Sequence, residues 1–204
     1  PNSLLYLLDT DENKAWWVTY DHQLDEYNSP YFKGEHKALD DVEFDSKYHL
    51  QFTRQKEAEV KPIAEAAVLV KQDSAFQNRA TNKLTIKIAP QRKINRMEIF
   101  ADEKVDFYNF KVNKIAATSK EHVFYQNREK EKLLTYYAVD QDTLRLDFEL
   151  KKGESLDLKI YEASNDLLSN PVFDIAPRTK GMMPKPFVLN DAIITKQSVP
   201  LNSN

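Results

Sequence analysis

Residues 144–151 read Leu-Arg-Leu-Asp-Phe-Glu-Leu-Lys, an uninterrupted alternation of apolar and charged side chains. Successive side chains of a strand point to opposite faces, so this pattern demands a strand with one buried and one wet face. Leu84, Ile86 and Ile88 repeat it against Thr85 and Lys87, and Leu156, Leu158 and Ile160 against Asp157 and Lys159. Less regular strands are expected at 66–72, 96–101, 106–112 and 133–139. Turn-prone residues separate them at Asn78 to Asn82, Asp102-Glu103, Asn113-Lys114, Asp140 to Asp142 and Lys152-Gly153-Glu154. Short strands at this spacing predict a mainly β fold, an antiparallel β-sandwich of about seven to nine strands. Gly153 is the only glycine in this block. Asn and Asp must therefore serve most other turns, which their tolerance of left-handed backbone allows.

Before this block, two aromatic, apolar runs flank the polar turn Asp9 to Asn13, giving a hairpin over residues 1–21. Trp16 and Trp17 are neighbours, so they cannot both enter one core, and a second layer must cover the other face. Residues 22–60 are charged and weakly periodic. They predict a short helix around Asp21–Tyr27 and an irregular connection with a helical turn near Glu35–Asp41, broken by Pro30 and Gly34. The tail, 171–204, holds five of the nine prolines yet is rich in Val, Ile, Met and Phe. Such a segment is expected to pack along a domain as an extended arm. The whole chain, 1–204, reads as one domain whose sandwich core is 61–170. Its opening Pro1-Asn2-Ser3, without an initiator Met, is read as that of a fragment or processed product.

Most site chemistries are excluded. Glycines stand only at 34, 153 and 181. Glycine-rich phosphate loops and the Gly-x-Ser-x-Gly elbow need closer spacing. There is no cysteine, so thiolate metal sites and disulfides are absent. His22, His36, His49 and His122 fall in no His-Glu-x-x-His arrangement. Asp9-Thr10-Asp11-Glu12-Asn13 starts like a calcium loop but has Lys14 where glycine belongs and Tyr20 where the bidentate Glu belongs, so it reads as a turn. Asp40, Asp41, Glu43 and Asp45 read as a solvated loop. A net charge of −3, with 29 basic and 32 acidic residues interspersed, argues against a nucleic-acid surface. The stretch Gln91–Arg96 reads as a charged hairpin loop. No apolar run is long enough to span a bilayer, and no signal peptide is visible.

Adjacent aromatics remain: Trp16-Trp17, Phe107-Tyr108, Phe124-Tyr125 and Tyr136-Tyr137. Each pair sends a ring to both faces of a strand. One reading is an exposed platform for a glycan, lipid surface or partner domain. The preferred reading is burial on both sides, the second face lying under residues 22–60 or the tail.

Three separated segments carry a family resemblance. They are Pro1-Asn2-Ser3-Leu4 with Tyr6, Asp11 to Ala15 and Thr19-Tyr20-Asp21; Ala89-Pro90-Gln91-Arg92 with Asn95-Arg96 and Phe107 to Phe110; and Met182 to Ala192. Together they resemble the soluble C-terminal domain of membrane-embedded zinc metallopeptidases of the aminopeptidase-like class, bacterial relatives of the vacuolar membrane protease and endoplasmic-reticulum metallopeptidase group. The resemblance implies an upstream di-zinc peptidase domain and transmembrane helices. It places this domain on the extracytoplasmic, periplasmic face. The family's zinc ligands and catalytic carboxylate belong to the upstream domain, and no position here matches them. The expectation is a non-catalytic accessory domain with no cofactor of its own, zinc being implied only for the parent. It would pack on or orient the peptidase and transmembrane domains, or help select peptide substrates. Trp16, Trp17, Tyr136 and Tyr137 are its candidate contact residues. The alternative is a free-standing carbohydrate-binding or adhesion-type module, which requires two or more exposed aromatics on one flat sheet face.

Overall fold

The computed structural model describes residues 1–34, 51–117, 125–138 and 141–204. It is a mainly β structure of two sheets, a β-sandwich. The strands are β1 (Leu5–Asp9), β2 (Lys14–Thr19), β3 (Arg54–Ala58), β4 (Ala67–Gln72), β5 (Thr81–Ala89), β6 (Arg96–Phe100), β7 (Tyr108–Val112), β8 (Ile115–Ala116), β9 (Lys132–Tyr137), β10 (Leu144–Lys151), β11 (Ser155–Ser164) and β12 (Ala192–Asn202). One sheet has the order β3-β2-β1-β12-β11-β6-β9, the other β4-β5-β10-β7-β8.

Twelve strands among the described residues exceed the seven to nine expected, and each extra one has a reason. β3 lies in the charged 22–60 segment, where half-buried Arg54, Gln55 and Lys56 carry no alternation to read. β8 is only two residues long. β12 lies in the tail that the prolines made look irregular. It pairs with β1 only through Lys196, in parallel register, and Pro200 falls beyond that point. There the strand has lost β1 as a neighbour, so a missing N–H costs no ladder bond on that side. The expected helix at Asp21–Tyr27 is absent. Asp25 instead accepts from the N–H groups of Tyr27 and Asn28, an Asx arrangement that competes with a helix, and among the described residues the one helical turn is 3-10, Ser29–Phe32. The turn expected near Glu35–Asp41 lies outside the described residues.

The chain divides into two compact units, Pro1–Ala64 with Tyr161–Gln197, and Glu65–Ile160 with Ser198–Asn204. In the first, the β1–β2 hairpin forms as expected, with Tyr6 opposite Trp17 and Leu7 opposite Trp16. Its turn is closed by Asp9, whose Oδ1 accepts from the N–H groups of Asp11 and Glu12, and by Asn13 at φ 53°. Leu4, Tyr6, Leu8, Ala15 and Ile193 form one core with Tyr27, Phe32 and Leu167. Phe173, Ile175 and Met182 of the tail pack on it.

In the second unit the alternating strands close a core between sheets. Leu84, Ile86 and Ile88 of β5 and Leu144, Leu146, Phe148 and Leu150 of β10 join Met97 and Ile99 of β6 and Leu156, Leu158 and Ile160 of β11. Phe107 meets Phe148 edge-on at 5.0 Å, and Tyr125 stacks on Phe110 at 4.0 Å. The turn at Gly153, φ 79°, leads from β10 in one sheet to β11 in the other. Gln91 to Asn95 likewise connects β5 and β6 of different sheets, so this basic stretch is a crossover between layers and not a hairpin loop. Periodicity reports which face is buried, but not whether a short turn returns the chain to its own sheet.

Candidate functional site

The four aromatic contact candidates fall in both units. Trp17 is partly buried in the first core, with ring centroids 5.3 Å from Tyr6, 5.8 Å from Phe173 and 4.9 Å from Tyr31. Thus the tail and the segment after the hairpin cover the Trp17 face. Trp16 points to the other face and is half-buried. Tyr136 packs partly buried on the second core, whereas Tyr137 is 73% exposed. Tyr108 and Tyr125 are half-buried and Phe107 fully buried. Phe124, His36, His49, His122 and the Asp40–Asp45 carboxylates lie outside the described residues. Among the described residues no three His, Cys, Asp or Glu side chains gather as metal ligands.

Two polar assemblies stand out. The first, in unit one, is buried and interlocked. Asp21, 5% exposed, accepts from the Ser3 N–H at 2.6 Å, Asn28 Nδ2 at 2.9 Å and Lys185 Nζ at 3.0 Å. The hydroxyls of Ser3 and Thr19 complete its shell. Asn2 donates to Asp25 at 2.7 Å and accepts from Arg178 Nε at 2.5 Å. Arg178 grips Asp191 through both terminal nitrogens at 2.6 and 2.8 Å and lies 4.2 Å from the centre of the Tyr27 ring. Asn190 bridges back, donating to the Asn2 carbonyl at 2.8 Å and accepting from the Leu4 N–H at 3.0 Å. Burial would raise the Asp25 carboxyl, but donation from Asn2 and from the Asn28 and Tyr27 N–H groups outweighs it and holds the carboxyl below its ordinary value. Burial, with Asp191 nearby, pushes the Tyr27 phenol up to about 12. The Asp21, Asp25 and Asp191 carboxylates each accept from donors of the same unit, so the assembly pins the chain. Asn2, Ser3, Thr19, Asp21, Lys185, Asn190 and Asp191 all come from the first and third segments that carry the family resemblance.

The second assembly is a cleft of about 480 Å3 on the outer face of the five-stranded sheet in unit two. Alternation sends Arg145, Asp147 and Glu149 of β10 to this face, with Lys83 of β5 opposite Glu149 and Lys111 of β7 opposite Asp147. A bulge in the β7–β10 pairing places Asn109 at φ 50°, a left-handed conformation that Asn tolerates, and turns its amide onto Glu149. Asn113 and Lys114, at φ 49° and 69°, make the tight turn that carries Lys114 to the rim. Phe76, from the β4–β5 loop, forms an apolar wall.

The sequence assigned Asp147 and Glu149 to a wet face, but the structure buries both, at 6% and 8% exposure. Asp147 takes Arg145 Nε and Nη2 at 2.7 and 2.8 Å and the Thr85 hydroxyl at 2.6 Å. The Arg145 bonds, then Thr85, hold its carboxyl below the ordinary range. Glu149 accepts from Thr81 at 2.8 Å and from Asn109. Lys111 and Lys114 stay exposed and enter no ion pair among the described residues. None of this cleft was singled out from the sequence. The only available signal was the polar half of the β10 alternation, which looks the same whether its carboxylates are solvated or built into a cleft.

No known protein family and no curated protein matches the chain. Among solved structures, the crystal structure of BslA, a bacterial hydrophobin, is similar at 10% identity with a TM-score of 0.33, over 68% of this chain and 96% of that one. A likeness at that level carries no argument about fold or function.

Proposed function

We propose that this chain is a non-catalytic accessory domain of a membrane-bound zinc peptidase, on the extracytoplasmic face of the membrane. It packs on or orients the peptidase domain, or aids peptide selection. The supporting observation is the convergence of two of the resemblance segments. Residues about 180 positions apart in sequence, Asn2 and Ser3 on one side and Lys185, Asn190 and Asp191 on the other, join in one hydrogen-bonded assembly. The motif residues share a mechanical arrangement that ties two stretches of one unit together, and their carboxylates accept from neighbouring donors, which supports a structural role for them. Zinc and catalysis belong, in this reading, to the upstream domain.

The test is turnover. A pure sample, stripped with chelator and reloaded with zinc, is expected to leave aminoacyl substrates intact. A parent peptidase lacking residues 1–204 is expected to lose stability or peptide turnover. Zinc-dependent hydrolysis by the chain alone would overturn the proposal, as would a parent peptidase indifferent to the deletion.

A further inference from the structure

We infer that the cleft on the outer face of the five-stranded sheet binds an acidic peptide segment, one that presents carboxylates beside an apolar side chain. The inference goes beyond the accessory-domain reading and does not depend on it.

The cleft lining holds four cations, Lys83, Lys111, Lys114 and Arg145, against two carboxylates, Asp147 and Glu149. That is an excess of two positive charges, on a chain whose net charge is −3. Both carboxylates are held by groups of the sheet itself. Asp147 is engaged by Arg145 and Thr85, and Glu149 by Thr81 and Asn109. Lys83 has only a loose partner, Asp73 at 3.8 Å, and Lys111 and Lys114 have none among the described residues. What the cleft offers a ligand is therefore mainly N–H donors.

Donor-rich lining selects an acceptor-rich ligand. A neutral glycan, whose hydroxyls must also donate, finds both carboxylates buried and each already accepting from two side chains. Phe76 supplies an apolar wall, which a free inorganic anion would not use and a peptide side chain would. The volume lies within the usual range for ligand clefts, about 300–1,000 Å3. A segment carrying Asp or Glu next to an apolar residue matches all three properties: positive rim, occupied acceptors and apolar wall.

The experiment is a fluorescence-anisotropy titration of the full 204-residue chain with a labelled peptide alternating Phe and Glu. Its counterpart has Gln for each Glu, and unlabelled peptide, inorganic phosphate and oligogalacturonate serve as competitors. The acidic peptide is expected to bind, and to bind less tightly as salt rises. The Gln counterpart and the combined variant Lys111→Glu/Lys114→Glu are each expected to bind about tenfold more weakly. Both lysines are exposed, and the milder Lys114→Gln reports a smaller loss in the same direction should the double variant lose its fold. Equal binding of the two peptides, no binding at millimolar concentration, or unchanged affinity in the lysine variants overturns the inference. So does displacement of the labelled peptide by phosphate or oligogalacturonate at lower concentration than by the unlabelled peptide, which would assign the cleft to an inorganic or glycan anion. A negative titration leaves the zinc-turnover result untouched, so the two proposals fail separately.

Discussion

Replacing Arg178 by Met should unfasten the first unit. The Arg178 side chain is 9% exposed and that of its partner Asp191 17%, with N–O distances of 2.6 and 2.8 Å. Removing one member of a fully buried pair costs about 3–5 kcal/mol, because the other charge is left desolvated and unpaired. Asp191 keeps some solvent, which puts this pair at the lower end. Losing the stacking over Tyr27 adds about 1 kcal/mol, and the Met stem recovers part of the packing. The net expectation is about 3 kcal/mol. Both tryptophans of the chain, Trp16 and Trp17, belong to the first unit. Urea unfolding followed by tryptophan-selective fluorescence therefore reads that unit, which matters because a chain of two units need not unfold in a single step. Asp191 sits at φ 50°, where Asn is equally at ease, so Asp191→Asn removes the charge and keeps the backbone. The double-mutant cycle should then give a coupling of about 2 kcal/mol. A loss below about 1 kcal/mol for Arg178→Met, the value of an exposed pair, would refute the reasoning, and so would additivity in the cycle.

Arg128 donates to the carbonyls of Ala101, Asp102, Val105, Lys130 and Glu131, and Arg128→Lys, keeping the charge but losing the fork, should destabilise by about 2 kcal/mol in urea melts followed by circular dichroism. An unchanged melt would show that charge alone suffices there. The Asp147 carboxyl is held below its ordinary value of 3.8, so its contribution is full above that value and is lost as pH falls through the lower folded value. Asp147→Asn should accordingly flatten the acid limb of the stability–pH curve below about pH 4, and parallel limbs in the two proteins would contradict it. Trp17→Ala should cost about 3 kcal/mol and, by releasing Phe173, speed tryptic cleavage after Lys180. Unchanged cleavage there would mean that the tail is held without Trp17.

The fold class and the inner faces were legible in the residues alone. Leu84, Ile86, Ile88, Leu144, Leu146, Phe148 and Leu150 could only alternate into a core, because period 2 leaves no other way to bury them. The Asp9–Asn13 and Asn113-Lys114 turns were legible too, since their chemistry is local. Tertiary structure alone decided where the turns lead. The Gly153 turn and the Gln91–Asn95 stretch change sheets, and the tail enters β12 beside β1 in parallel register. These outcomes depend on pairings between residues far apart in sequence, for which no short-range pattern exists. The same holds for the site. Asn2, Asp21, Arg178 and Asp191 meet only through the fold, and Asp147 and Glu149 became buried acceptors because Arg145, Thr85, Thr81 and Asn109 reach them from the same strand or from neighbouring ones. Burial and hydrogen bonding are properties of a neighbourhood, and an alternating strand names only its own members of a face, two residues apart, and not the neighbours that adjoining strands supply.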